Sequence, residues 1–128
     1  MLLLMTLTLA LAVVPPHGEQ PLALPVDLKL DGFYTCEGGK GAEAYRCVAV
    51  IIKRGTGYHL KWVFDTGETA VGIGQSDGDR FWVAWSDHTI LGLARYKIEM
   101  KGDKPHLVGQ HGTDEVFTYL KPLPAGSE

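Results

Sequence analysis

Gly74-Gln75-Ser76-Asp77-Gly78 has the G-x-S-x-G form of a nucleophile elbow, where a strained strand-to-helix turn exposes a serine for acyl transfer. The residues that follow, Phe81-Trp82-Val83-Ala84-Trp85, have a strand pattern, not a helical one. At 128 residues the chain is also too short for the sheet that carries such an elbow. Ser76 is therefore expected in a hairpin turn, without a catalytic role. His17, His59, His88, His106 and His111 are possible metal ligands, but zinc needs three or four that converge. They show no i,i+2 or i,i+4 pairing, and parity puts His106 and His111 on opposite strand faces. Asp65, Glu68, Asp77, Asp79 and Asp87 all fall in or beside turn signals, where Asp serves local hydrogen bonding. Glycoside hydrolysis needs two carboxylates held a few ångströms apart in a cleft, and no such pair is visible. Gly38-Gly39-Lys40-Gly41 lacks the full phosphate-loop pattern. The expectation is a non-enzyme with no catalytic residue, no metal ligand and no cofactor.

Cys36 and Cys47 are the only cysteines. Two cysteines without a C-x-x-C spacing make a poor redox or metal motif. If their segments form a hairpin, the two lie near its closing end as cross-strand neighbours. A disulfide there would close a loop of about a dozen residues and contribute about 3 kcal/mol in the chain-entropy model. Such a bridge persists in an oxidising compartment.

The aromatic residues are the other group of interest. Tyr34, Tyr58, Trp62, Trp85 and Tyr96 either fill a β core or line a pocket for a small apolar or sugar-like ligand. Parity sets Trp82 opposite Phe81, Val83 and Trp85, so it points outward as a candidate surface for an extracellular protein partner.

These side chains must be positioned by strands. Turn signals recur at 37–41, 54–57, 65–67, 76–79, 86–88, 101–105 and 112–114, an all-β rhythm of seven turns and eight segments. Tyr58, Leu60, Trp62 and Phe64 alternate with His59, Lys61 and Val63. Ala94, Tyr96, Ile98 and Met100 alternate with Arg95, Lys97 and Glu99. Period-two alternation with one polar face means a sheet covered on one side. Tyr45 to Lys53 is ambiguous, since Val48/Val50/Ile52 and Cys47/Ala49/Ile51 are both apolar. A meander of short hairpins closes most simply into an antiparallel up-and-down barrel of about eight strands; a two-sheet β-sandwich is the alternative.

Residues 1–12 resemble a signal peptide: an apolar run from Leu2 to Leu11 ends in Ala10-Leu11-Ala12, a small-x-small cleavage pattern. An uncleaved membrane anchor is the competing reading. Residues 13–25 form a Pro-rich spacer, and 26–123 a single β domain. The expected location is periplasmic or secreted, with no membrane contact after cleavage. Net charge is −3 with the signs mixed, so there is no basic footprint for nucleic acid.

Gly32-x-Tyr34-x-Cys36-x-Gly38, Gly55-x-x-Tyr58-x-Leu60-x-Trp62, Phe81-x-Val83-x-Trp85 and Gly92-x-Ala94-x-Tyr96-x-Ile98 run through the chain. In these it resembles a group of small secreted proteins of planctomycete-type bacteria, sometimes labelled fibronectin-binding. It departs from that group at His111, where the group tends to have Trp. It is also similar to calycin-style barrels, as in avidin and lipocalins, though biotin or lipid binding does not follow. The resemblance implies an exported β-barrel. The function expected is a binding module for a small molecule or protein, or, alternatively, a structural protein with a solidly packed barrel.

Overall fold

The computed structural model describes residues 28–126. The signal peptide (1–12), the spacer (13–25) and the first two residues of the expected domain lie outside them. Eight strands follow in order: β1 (Gly32–Gly38), β2 (Tyr45–Arg54), β3 (Gly57–Phe64), β4 (Thr69–Asp77), β5 (Arg80–Ser86), β6 (Leu91–Lys101), β7 (Lys104–Gln110) and β8 (Glu115–Lys121). A single 3-10 turn, Gly41–Glu43, interrupts the β1–β2 connection. Each strand pairs antiparallel with the next, and β8 returns to β1, so the sheet is a closed barrel and not a sandwich. Closure gives every strand a neighbour on both sides, with the shortest ladder between β7 and β8, at Leu107↔Phe117 and Val108↔Val116.

Positive φ supports the tight turns. Gly55 (φ 61°), Gly78 (φ 62°) and Gly102 (φ 66°) occupy the three short connections at one end of the barrel, here called the base. The other four connections, at the mouth, are longer. Ser76 lies in β4 opposite Phe81, just before the Gly78 turn.

Alternation sorts the residues as their types demand. Tyr34, Cys36, Cys47, Ala49, Ile51, Leu60, Trp62, Phe81, Val83, Tyr96, Ile98, Leu107 and Phe117 are all buried. In β2 the inward face is thus Cys47, Ala49 and Ile51, while Val48 on the other face is exposed. Cys36 and Cys47 are direct cross-strand partners joined by a disulfide, with Cα atoms 5.0 Å apart.

The base is sealed. Leu30 is fully buried beneath it, and its carbonyl accepts a hydrogen bond from Tyr34 Oη at 2.7 Å. Lys53 N donates to Asp31 Oδ2 at 2.8 Å, tying the incoming chain to the end of β2. Inside, Tyr34 packs edge-on against Phe117 and Tyr119, and Tyr58 against Phe81. Gly74 makes room for Phe81, since a Cβ there would stand 2.6 Å from the ring. Lys53, Lys104 and Lys121 lie over the rings of Tyr58, Tyr119 and Phe33, covering apolar rims while their charges reach water.

Candidate functional site

The mouth is built differently, around Glu115. This is the first residue of β8 and shares its inward face with Phe117 and Tyr119. It is only 7% exposed. In register it pairs with Gly38 of β1, which pairs in turn with Tyr45 of β2. On its other side is Gly109 of β7, the partner of Tyr96 of β6. A Cβ at Gly109 would come within 2.8 Å of the Glu115 carbonyl oxygen. Glu115 therefore stands between two glycines, and a tyrosine beyond each glycine reaches across it. Tyr45 Oη donates to Oε2 at 2.6 Å, and Tyr96 Oη donates to Oε1 at 2.7 Å. A side chain at Gly38 would strike the Tyr45 phenol, so this bond depends on the glycine. Trp62, from β3 across the lumen, donates Nε1–H to Oε1 at 3.2 Å.

The segment leading into Glu115 is pinned on both sides. Gly39 N donates to the Asp114 carbonyl at 3.2 Å, and Arg95 N donates to Thr113 Oγ1 at 3.0 Å. Below the carboxylate lies Phe117, whose ring meets those of Trp62 and Tyr96. Cys47 Sγ is 4.0 Å from Oε2, but a bridged sulfur has no proton and is a neighbour, not a donor.

Burial, and after it the Glu115 charge and hydrogen bond, push the Tyr96 phenol far above its ordinary value. Burial, then the hydrogen bond from Tyr45 to Glu115, does the same to the Tyr45 phenol. Both remain neutral donors, as the indole always does. Glu115 is thus an acceptor at both oxygens. Among the described residues no Lys, Arg or His is paired with it.

Above Glu115 a cavity of about 480 Å³ opens to solvent, walled by Tyr45, Trp62, Phe64, Trp85 and Tyr96. Its space comes from small inward residues. Ala70 and Ala94 line it, and Gly92 lets the Trp85 indole lie against the wall, where any Cβ would collide with the ring. Asp87 stands at the rim, its Oδ1 accepting from Thr89 N, Thr89 Oγ1 and Ile90 N. Those bonds lower its pKa and hold the β5–β6 connection. His111 also lines the rim.

Of the aromatic candidates, Trp62, Trp85 and Tyr96 come together at this cavity. Tyr34 and Tyr58 belong to the sealed base instead. Trp82 lies on the outer wall, 39% exposed, near exposed Ile73 and Leu93. Glu115 is absent from the carboxylates that stand out by their turns. The signal for it was a charge at an inward parity position, in phase with Phe117 and Tyr119. Cys36, Cys47 and Glu115 bring three potential metal-ligating atoms within 4.8 Å of one another, but bridged sulfurs are not thiolate ligands. No helix among the described residues is long and apolar enough to cross a membrane. Compared with family models, curated proteins and solved structures, the chain matches none.

Proposed function

We infer that the chain is an exported, non-enzymatic binding module that takes a small molecule into the mouth of its barrel. One observation carries this: the aromatic-walled cavity has a single buried carboxylate fixed by three donors at its floor. Ligand sites are typically concave, mostly apolar, and furnished with a few polar groups that fix orientation. A barrel of eight strands has room for one small ligand. Tyr45, Trp62 and Tyr96 hold Glu115 in one geometry, so recognition needs little reorganisation. The Cys36–Cys47 disulfide and the apolar N-terminal run with its small-x-small pattern support export.

The test is native mass spectrometry of the protein after export by a host cell. The expected result is a co-purifying small molecule, released on unfolding and absent when Trp85 and Ala94 are replaced by Ala and Phe to reshape the cavity. A clean apo mass across several hosts, with no ligand taken up from a metabolite library, would refute the reading.

A further inference from the structure

We propose that the ligand is a small organic cation, an amine or ammonium compound, whose charged group meets Glu115 while its apolar body lies against Trp62, Phe64 and Trp85. This rests on the reading of the mouth as a ligand site and goes on to name the ligand's chemistry.

Four observations converge. First, Glu115 is a buried carboxylate whose protein partners are all neutral: two phenols and an indole. Buried charges are ordinarily paired with an opposite charge, and here none of the described residues supplies one. Second, the hydrogen bonding is uneven. Oε1 takes two donors and Oε2 takes only Tyr45, so a further N–H can be accepted at Oε2. Third, the walls around the carboxylate are aromatic, and Trp and Tyr faces attract cations, most strongly when desolvated. Fourth, the connections that rim the mouth carry Glu43, Asp65, Glu68, Asp87 and Asp114 against one lysine, Lys40. An acidic rim raises the local concentration of cations and repels anions. At the base the arrangement is reversed: lysines of the chain itself already cover the aromatic rims. At the mouth that position is left for a cation from outside.

The experiment uses three soluble probes of similar shape and different charge: 2-phenylethylammonium, 2-phenylethanol and phenylacetate. Each is titrated into the full exported protein, and binding is followed by amide chemical shifts of the mouth residues. The expected order is ammonium first, tighter than the alcohol by about tenfold or more, with phenylacetate weakest. In Glu115→Gln, with its fold checked by circular dichroism, the ammonium advantage should vanish while the alcohol still binds. Equal affinity for the three probes, or a preference for phenylacetate, would overturn the cation proposal and leave the mouth as a ligand site. No shift at the mouth with any probe would overturn both. The ranking on the unaltered protein decides the matter even if the variant fails to fold.

Discussion

The two ends of this barrel are made from the same eight strands and the same inward alternation, yet one is sealed and the other open. At the base, inward positions carry Tyr34, Tyr58, Phe81 and Ile98, with Leu30 as a plug. Where a glycine occurs there, as at Gly74, a ring from the next strand fills its space. At the mouth, β6 contributes Gly92 and Ala94 and β4 contributes Ala70, and the large rings stand against the walls. The difference teaches that closure of a sheet does not decide whether a small barrel is solid or hollow. Side-chain volume at successive inward positions decides it, separately for each end. The polar content follows the same division: the one buried charged residue among those described, Glu115, belongs to the hollow end.

The comparison can be broken most sharply by truncating a ring at each end. Phe81→Ala should cost about 3–5 kcal/mol, as for a large side chain removed from a packed core. Trp85→Ala should cost well under half of that, because the indole already borders open space. Urea unfolding of both variants measures the difference, and equal losses would mean the mouth is as tightly packed as the base. A smaller effect tests the polar end alone. Glu115→Gln replaces one of two acceptors by a donor, so Tyr45 or Tyr96 is left facing an N–H. The expected loss is about 1–3 kcal/mol by the same measurement. Tyr45→Phe should then recover part of that loss in the Gln background, whereas the same change in the parent protein should destabilise it.

The mildest effect at ordinary pH lies in the phenols, which span both ends. Burial raises the pKa of Tyr34 at the base and, with Glu115, those of Tyr45 and Tyr96 at the mouth. A group whose folded pKa lies above its unfolded value contributes stability fully present below the unfolded value, here 10.0, and lost as pH rises beyond it. Stability should therefore be flat in these groups up to about pH 10 and fall above it. Absorbance at 295 nm should rise together with loss of near-ultraviolet circular dichroism. Stepwise ionisation of these phenols in a folded barrel would contradict the burial described.

Much of this architecture was legible in the sequence, for definite reasons. Turn signals rich in Gly and Asp marked all seven connections, and strict alternation fixed the inward faces of β3, β5 and β6. The cysteine pair could be read from the hairpin that joins its two strands. The inward face of β2 could not, because Val48, Val50 and Ile52 are as apolar as Cys47, Ala49 and Ile51. The carboxylate site was hidden for another reason. Gly38 and Tyr45 are paired by the β1–β2 hairpin, but Glu115 reaches them only through the β8–β1 closure, which joins the two ends of the sheet. The cavity depends in the same way on where Gly92 and Ala94 fall relative to Trp85 once β5 and β6 are paired.

The even number of strands has a consequence for presentation. With eight antiparallel strands, β1 enters and β8 leaves at one end, and that end is the base. Gly32 at the start of β1 and Lys121 at the end of β8 therefore both lie on the side away from Glu115. The mouth thus faces away from the strand ends where the chain enters and leaves the barrel, like a cup whose opening lies opposite its foot.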